Sequence, residues 1–447
     1  MRESHLIAQP EDRLNARQVV LLGLQHVLAM DVYVVPFVIA TIVALSVQES
    51  AQLIQATFLA AGLATLVQSQ WCMRLPIAQG ASYVPIGAVA GIALATGGGA
   101  QGMAAVYGAM IPGALILVAI GFTPLFRRFI HRLVPPLIGG TIILVVGLAL
   151  MPIGLKANIF ALQPGAGSLN QNVALAALSA GLLIAFVTVG IRLGQRGVWL
   201  RLGAVLFALA GGSALAMLWG LFDTSAIAAA PWLAPPHLAF VQFTPSFQWS
   251  AVLTMIVIYA VLMAETTGTW FAISAVIERP LQDDQIDRGV VGEGLGCLFS
   301  ALVGSTPVTG YSTNAGIIAI TGVASRMAFL GVALWLLFFG LSAKLATTIA
   351  SIPAPVIGGI FLVVCAIIAM SGFRILRNVH LDERNMLVVG LPIVIALFVE
   401  LAPTELMAGL PQVLRYLLDS SIATGACAAI LLNKILPQEQ HTSASPY

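Results

Sequence analysis

The chain contains two related apolar stretches, VPPLIGGTIILVVGLALM from Val134 to Met151 and PAPVIGGIFLVVCAIIAM from Pro353 to Met370. When Pro136 is aligned with Pro355, both contain P-x-I-G-G and end in methionine, at an offset of 219 residues. Each stretch is about as long as a helix that crosses the hydrocarbon core of a bilayer, which takes roughly 20 apolar residues. The pattern therefore indicates two related membrane helices, one in each half of the chain. The alternative is a chance similarity between two apolar helices.

The composition of the whole chain agrees with a membrane protein. Of its 447 residues, 59% are hydrophobic and 9% are charged, and the mean hydropathy is +0.98. An average soluble domain is about 25% charged. The excess of apolar residues excludes a soluble enzyme, a nucleic-acid-binding protein and a disordered chain, and it predicts an all-α polytopic membrane protein in the lipid bilayer. The four cysteines lie apart in apolar segments, which predicts neither disulfides nor a zinc site.

The hydropathy pattern predicts fourteen transmembrane spans. They lie near residues 18–42, 51–70, 82–96, 102–124, 134–153, 172–191, 202–221, 249–275, 288–304, 313–322, 326–347, 354–373, 385–402 and 412–433. The third and the tenth are too short for complete helices.

The basic residues predict the orientation of these spans. With the N-terminus in the cytoplasm and alternating sides, seventeen of the twenty Lys and Arg residues lie on the cytoplasmic side. The three on the outer side are Lys156, Lys344 and Arg415. Because basic residues are retained on the cytoplasmic side, this asymmetry supports the count of fourteen. It predicts a multi-pass protein of the plasma or inner membrane with both termini in the cytoplasm.

The two related stretches are spans five and twelve, which are seven spans apart. Seven is odd, so the two copies must cross the membrane in opposite directions, as in the inverted repeats of secondary transporters. The two short spans occupy matching places in the halves. One opens with Gln79-Gly80-Ala81-Ser82-Tyr83-Val84-Pro85 and the other with Thr309-Gly310-Tyr311-Ser312-Thr313-Asn314. Paired interrupted segments of this kind predict a binding site between them.

Three motifs resemble the nucleobase–ascorbate transporters, also called nucleobase:cation symporter-2. Gln25-His26 in the first span resembles the family's Q-H motif, and Ala264-Glu265-Thr266-Thr267-Gly268 resembles its acidic motif in the eighth span. The run from Thr313 to Gly322, TNAGIIAITG, resembles its signature [Q/E/P]-N-x-G-x-x-x-x-T-[R/K/G]. The resemblance extends from about residue 17 to residue 434.

This resemblance implies a fold and a division into domains. It implies fourteen spans in a seven-plus-seven inverted repeat, with a core domain, a gate domain that also forms a homodimer, and a short strand followed by a half-helix at the breaks in spans 3 and 10. The expected divisions are an N-terminal tail (1–17), core (18–124), gate (125–221), an outer loop (222–248), core (249–347), gate (348–433) and a C-terminal tail (434–447).

The resemblance also implies the activity: import of a nucleobase in symport with protons, without a cofactor. A purine such as xanthine or uric acid is favoured, uracil is the second candidate, and sodium is the weaker candidate for the coupled ion. Two departures leave the base open. Thr313 stands where the family has Gln, Glu or Pro, and Thr269 stands where purine-type members often carry Asp.

The candidate substrate-binding residues lie at the two breaks and in the eighth span. They are Glu265, Thr313, Asn314, Ser82, Tyr83, Gln79 and Tyr311. A carboxylate deep in an apolar span is usually functional, and it can accept two adjacent N–H groups of a base. Tyr83 could stack on a planar ring, or it could pack at a helix interface. Asn314 could contact the substrate or hold the backbone of the break.

Three further residues are candidates for proton coupling within the core. Glu293 could carry the proton or anchor neighbouring helices by hydrogen bonds. His26 could take part in proton transfer or order the packing of helices. Asp31 could line the substrate path or lie at the mouth of a cavity. The acidic run 283–288 is expected to be a solvated loop.

Two other functions remain as alternatives. Anion transporters share the seven-plus-seven architecture, but their site requires positive charge, and the central charge here is Glu265. A membrane enzyme is disfavoured, because the sequence has no HExxH, GxSxG or nucleotide-binding motif and its loops are short.

Overall fold

The computed structural model describes residues 6–128, 135–162, 167–235, 245–377, 379–403, 406, 409, 410, 414, 415, 418 and 420–437. In the first half, the elements are α1 (Ala16–Leu28), α2 (Val34–Val43), α3 (Val47–Leu66), β1 (Gln79–Ala81), α4 (Ile86–Ala95), α5 (Gly99–Gly121), α6 (Pro136–Gly154), α7 (Leu169–Arg192), α8 (Val198–Leu202) and α9 (Ala204–Leu218). The later elements are α10 (Ser225–Ala229), α11 (Trp249–Val276), α12 (Asp283–Val303), β2 (Val308–Gly310), α13 (Thr313–Thr321), α14 (Arg326–Leu341), α15 (Ala343–Ser351), α16 (Ala354–Leu376), α17 (Glu383–Leu401) and α18 (Ser421–Ile435).

Several of these helices are long and apolar enough to cross a membrane. Among the described residues there are seven by length and composition, or eight if α14 and α15, which are bent by 76° at their junction, form one span. Together with the shorter apolar helices α2, α4, α9 and α18, they form a multi-pass bundle.

The helices pack in two sets that are interleaved along the chain. One set contains α1 to α5 and α11 to α14, with its main contacts between α5 and α12, α3 and α14, and α1 and α14. The other contains α6 to α9 and α16 to α18, with its main contact between α6 and α16. Elements from both halves of the chain therefore build each set.

Glycines bring α6 and α16 into close backbone contact. A Cβ atom at Gly140 would lie 3.2 Å from the Gly372 carbonyl oxygen, and one at Gly147 would lie 2.4 Å from the Ala369 nitrogen. Further along, a Cβ at Gly154 would lie 2.5 Å from the Phe361 ring. Residue numbers rise along one helix as they fall along the other, so the two helices run antiparallel. This is the relative direction that the P-x-I-G-G repeat predicts.

Two of the helices, α3 and α6, each end in a short π-helical segment. The π-helix Val67–Cys72 extends α3, and the π-helix Leu155–Phe160 extends α6. A π-turn adds one residue to each backbone hydrogen-bonded ring and therefore rotates the side chains that follow it, and such turns are frequent at functional sites.

Two local predictions are wrong. The first predicted span, 18–42, is broken into α1 and α2 by residues 29–33. Pro36 favours a helix start here, because in the first turn of α2 its missing N–H costs no helical hydrogen bond. The acidic run 283–288 is the start of α12 rather than a loop, since Gln282 and Gln285 form a capping box there and Arg127 pairs with Asp283. Parts of several predictions lie outside the described residues: 1–5 and 438–447 of the predicted tails 1–17 and 434–447, 236–244 of the predicted outer loop, Val134, and residues 412, 413, 416, 417 and 419 of the last predicted span.

The close packing of α16 on α7 gives a prediction about stability. A Cβ at Gly359 would lie 2.1 Å from the Ala176 carbonyl oxygen, whereas one at Gly390 in α17 would meet nothing within 4 Å. Gly359→Ala should therefore separate two backbones and destabilise the fold by about 1–3 kcal/mol. Gly390→Ala should be neutral or stabilise α17 by up to about 1 kcal/mol, because alanine has the higher helix propensity.

Thermal unfolding of the purified variants in detergent measures both effects. The expected result is a lower midpoint for Gly359→Ala and an unchanged or higher midpoint for Gly390→Ala. Equal midpoints for the two variants would show that α7 and α16 are not in this close contact.

Candidate functional site

The two interrupted segments meet as an antiparallel pair of strands. Gln79 pairs with Gly310 and Ala81 with Val308, and each strand is followed by a short helix, α4 or α13. The backbone pairing continues beyond the strands, since the Ser82 N–H donates to the Pro307 carbonyl at 2.9 Å. Backbone away from helices survives at membrane depth only where its polar groups find such partners.

Small residues allow this pair of strands to form in a crowded environment. A Cβ at Gly80 would lie 2.5 Å from the Tyr311 ring, so only glycine leaves room for that ring beside β1. At the other strand, two threonines of α11 hold Gly310: its N–H donates to Thr266 Oγ1 at 3.1 Å, and Thr269 Oγ1 donates to its carbonyl at 3.0 Å. Thr269 thus supports β2 at the position where the sequence departs from the family pattern.

Glu265 lies on α11 beside the end of β1. The Ser82 hydroxyl, which is fully buried, donates to Glu265 Oε2 at 2.9 Å. The glutamate itself is only partly buried. The carboxylate is therefore oriented by one hydrogen bond and still accessible, an arrangement that allows it to accept further N–H donors.

Tyr83 joins three elements beside this carboxylate. Its hydroxyl donates to Asp31 Oδ2 at 2.6 Å, in the break between α1 and α2, and its ring stacks on Phe361 of α16 with centroids 6.1 Å apart. Phe361 belongs to the second set of helices, so in this conformation Tyr83 packs at the interface between the sets. Asp31 lies next to this interface, through its hydrogen bond to Tyr83.

Tyr311, Asn314 and His26 are linked to one another through hydrogen bonds. The Tyr311 hydroxyl donates to the Ala81 carbonyl at 2.9 Å, which connects the start of α13 to β1. Asn314 Nδ2 donates to the Tyr311 carbonyl at 3.4 Å, and Asn314 Oδ1 lies 2.8 Å from His26 Nδ1. Because an amide oxygen only accepts, His26 donates from Nδ1. In this arrangement Asn314 holds the backbone of the break, and His26 holds Asn314.

Thr313 differs from the other candidates because its side chain is exposed at the first residue of α13. It lies one residue before the buried Asn314 and two after Tyr311.

Glu293 forms a buried polar cluster behind the strands. It is fully buried on α12, and its Oε2 accepts from Gln79 Nε2 at 2.9 Å and from Gln68 Nε2 at 3.4 Å. Glu293 Oε1, Gln79 Oε1 and Gln68 Oε1 have no hydrogen-bond partner among the residues that the structure describes. The Thr309 hydroxyl beside the carboxyl group is also unpaired and can donate to one of these acceptor oxygens, and a proton on the carboxyl group would supply a donor for another.

Gln68 is a member of this cluster that the sequence analysis missed. It lies in the π-helix at the end of α3, and Gly292 leaves room for it, since a Cβ there would lie 1.9 Å from Gln68 Oε1. Its signal in the sequence was a glutamine at the end of an apolar run, which is also typical of residues at a membrane surface.

The arrangement as a whole can bind a planar polar molecule through hydrogen bonds. It offers an accessible carboxylate, two tyrosine rings and two half-helices, and no Lys or Arg side chain is hydrogen-bonded to these groups among the described residues. In the same part of the chain, no group of three His, Cys, Asp or Glu residues could hold a metal ion.

Comparisons with known sequences give matches across almost the entire chain. The family model Xan_ur_permease, described as a permease family, matches residues 17–405. The uric acid permease PucK of Bacillus subtilis is 30% identical over 446 residues, covering 97% of this chain and 99% of that protein. The xanthine permease XanP of Escherichia coli K12 is 31% identical over 462 residues, covering 98% and 96%.

Comparisons with solved structures give a likeness of fold. The transmembrane domain of the cyanobacterial bicarbonate transporter BicA superposes with a TM-score of 0.64 at 17% identity, over 88% of this chain and 98% of that one. The murine anion transporter solute carrier 26 family member A9, in its inward-facing state, superposes with a TM-score of 0.61 at 14% identity, over 95% and 69%. At these identities the likeness concerns the fold alone.

Proposed function

The chain belongs to the permease family that the Xan_ur_permease model represents, whose members here include uric acid and xanthine permeases, and we propose that it imports a nucleobase in symport with protons. A purine such as xanthine or uric acid is the favoured substrate and uracil the second candidate. Membership of this family also makes the chain a transporter rather than an enzyme.

The observation that carries this proposal is the carboxylate of Glu265. It is accessible, it is held by Ser82, and it lies where the paired strands give way to half-helices. Uracil, xanthine and uric acid carry ring N–H groups next to carbonyl groups. In uric acid the N–H groups on N3 and N9 lie side by side and can both donate to one carboxylate, whereas in uracil the carbonyl between the two ring N–H groups allows only one of them to do so.

The buried cluster at Glu293 supports coupling to protons. Its three unpaired acceptor oxygens favour a protonated carboxyl group, which could donate to the oxygen of Gln79 or Gln68. Gln79 begins β1, and Ser82 directly follows that strand. A change in the protonation of Glu293 would therefore act on the short segment that holds the substrate carboxylate.

In this proposal the protein has fourteen transmembrane spans, arranged as an inverted repeat. The helices α1 to α5 and α11 to α14 would form the core domain, and α6 to α9 and α16 to α18 the gate domain and the homodimer contact. Alternating access would then be a movement of the core against the gate. The distribution of basic residues supports cytoplasmic termini.

An anion transporter is the second candidate, and the shared fold with the bicarbonate transporter is the observation that favours it. An anion site would need positive charge, and the accessible charged group here is the Glu265 carboxylate. An anion would be repelled there unless the carboxyl group were protonated.

Uptake into proteoliposomes tests these alternatives directly. Radiolabelled uracil, xanthine, uric acid, hypoxanthine, adenine, guanine and bicarbonate are offered with and without an inward proton gradient. We expect accumulation of at least one base only when the gradient is present. Accumulation of bicarbonate alone, or of a base only with a sodium gradient, would contradict the proposal.

A further prediction concerns Thr313, whose exposed side chain begins the half-helix α13. Replacing a short hydroxyl with a longer hydrogen-bonding group should change which base edges are accepted, because a base that leaves this group unpaired once it covers the site would bind less well. We expect Thr313→Gln to change the rank order of the bases in a competition assay and to retain transport. Thr321→Gln, at the other end of α13, is the matched control. An unchanged rank order with intact uptake would remove Thr313 from the substrate site.

A further inference from the structure

Tyr83 has two contacts that belong to different sets of helices. Its hydroxyl donates to Asp31 Oδ2 at 2.6 Å, and its ring stacks on Phe361 with an angle of 27° between the ring planes. Tyr83 is 6% exposed, so its ring is enclosed in this conformation. What the ring can do during transport depends on which of the two contacts persists when one set of helices moves against the other.

The hydrogen bond to Asp31 lies within one set. Asp31 is in the break between α1 and α2, and α2 packs mainly on α3 and α4. Tyr83 lies between β1 and α4, and its carbonyl accepts from the Ile86 N–H at 3.3 Å. Both residues therefore belong to the set that also carries Glu265. A rigid movement of that set leaves the distance between Asp31 and Tyr83 unchanged.

The stack on Phe361 crosses to the other set. Phe361 is fully buried on α16, and its ring lies against Gly154 of α6, where an added Cβ atom would meet the ring at 2.5 Å. The packing of α6 on α16 is the main contact of that set. Phe361 is thus fixed to the second set, and a movement of one set against the other would separate the two rings while it preserves the hydrogen bond.

Asp31 is well placed to restrain the side chain of Tyr83. Among residues 30–40 it alone is not buried, and its carbonyl accepts from the Val34 N–H at 2.9 Å, which closes the turn between α1 and α2. A separation of 2.6 Å is within the roughly 2.5–2.7 Å typical of a hydroxyl that donates to an ionised carboxylate, which is the stronger class of hydrogen bond. A tyrosine ring is oriented by two torsion angles, and a bond at the tip of the side chain restrains both.

We propose that Asp31 is a positioning residue for Tyr83, which keeps the ring oriented in the substrate site after the ring has separated from Phe361, so that it can stack on the base bound at Glu265. Ser82, which holds Glu265, directly precedes Tyr83, so the carboxylate and the ring are held at consecutive residues. Without Asp31 the ring would have to be ordered when the base binds, which weakens binding roughly three- to tenfold. This role rests on the proposed function, because its ligand is the transported base.

A double-mutant cycle on the purified full-length protein tests this role. The measurement is equilibrium binding of whichever radiolabelled base, among those named for uptake, the wild type binds most tightly. Asp31→Ala and Tyr83→Phe should each raise its Kd roughly three- to tenfold, because each removes one partner of the same hydrogen bond. The double variant should bind as either single variant does, since the bond can be lost only once. Asp31→Asn should lie between Asp31→Ala and the wild type, because its amide oxygen can still accept from the hydroxyl.

Tyr33→Phe is the matched control for the loss of a tyrosine hydroxyl. Tyr33 is also 6% exposed and lies two residues from Asp31, but its hydroxyl has no hydrogen-bond partner in the part of the chain that the structure describes. Its removal should leave the Kd at the wild-type value.

Two results would overturn the role of Asp31 alone. An unchanged Kd in Asp31→Ala, whether or not its unfolding midpoint falls, would make the pair structural. Factors that multiply in the double variant would show that Asp31 acts on the base without Tyr83. If the wild type binds none of the bases, the proposed function fails and the role of Asp31 fails with it.

Discussion

Glu265→Gln is expected to abolish accumulation of the base and to weaken high-affinity binding by roughly 10²–10⁴-fold, which corresponds to two charge-assisted hydrogen bonds at about 1.5–3 kcal/mol each. The amide replaces one acceptor oxygen with a donor, which would face the N–H group of the substrate. Ser82 can still donate to the remaining amide oxygen, so the local structure should be retained. Uptake by proteoliposomes and equilibrium binding of the preferred base measure the two effects.

Glu278→Gln is the matched control for this experiment, because Glu278 is an exposed carboxylate just beyond the end of the same helix. It should transport at the wild-type rate. Wild-type affinity in Glu265→Gln, with a normal unfolding midpoint, would show that the base binds elsewhere.

Glu293→Gln should separate transport from the proton gradient. Glutamine has the shape of a protonated glutamate and a donor for the unpaired oxygens of Gln79 and Gln68, but it cannot release a proton. We expect exchange of internal for external base to continue while accumulation driven by a proton gradient falls to the level seen without a gradient. Counterflow and gradient-driven uptake in the same proteoliposomes measure the two activities separately.

Glu293→Asp provides the conservative comparison, since it keeps a titratable group on a shorter side chain. Partial recovery of gradient-driven accumulation in Glu293→Asp, and none in Glu293→Gln, is the expected pair of results. If Glu293→Gln accumulates the base as the wild type does, then Glu293 anchors Gln68 and Gln79 and carries no proton.

The polar residues of the candidate site could be predicted from the sequence because each interrupts an apolar run. Glu265, Glu293 and His26 are conspicuous for this reason, because ionisable side chains within membrane spans are rare and usually functional. Their partners were not predictable in the same way. Ser82 and Glu265 are 183 residues apart, and the hydrogen bond between them follows from the packing of α11 against β2 and α4.

The differences between the predicted and the observed elements also have local physical causes. Hydropathy alone predicts one span over residues 18–42. The average over so many apolar residues is little changed by the single aspartate, and it does not depend on the position of Pro36. Gln68 was missed because a glutamine at the end of an apolar run is also typical of residues at a membrane surface. The charged run 283–288 was expected to be a loop, but a capping box and an arginine from a distant segment stabilise it as a helix.

The pairing of β1 with β2 also determines the order in which the chain can mature during its synthesis. Ala81 pairs with Val308, which the ribosome adds 227 residues later. At 5–20 residues per second this delay is roughly 10–45 s. Throughout that interval the peptide groups of β1 lack their strand partner, and lipid offers them no substitute. The first half of the protein must therefore remain open to water or to the insertion machinery until the second half arrives. A chain truncated before residue 308 would enter the membrane with an unpaired strand edge, a feature by which cellular quality control can distinguish it from a finished transporter.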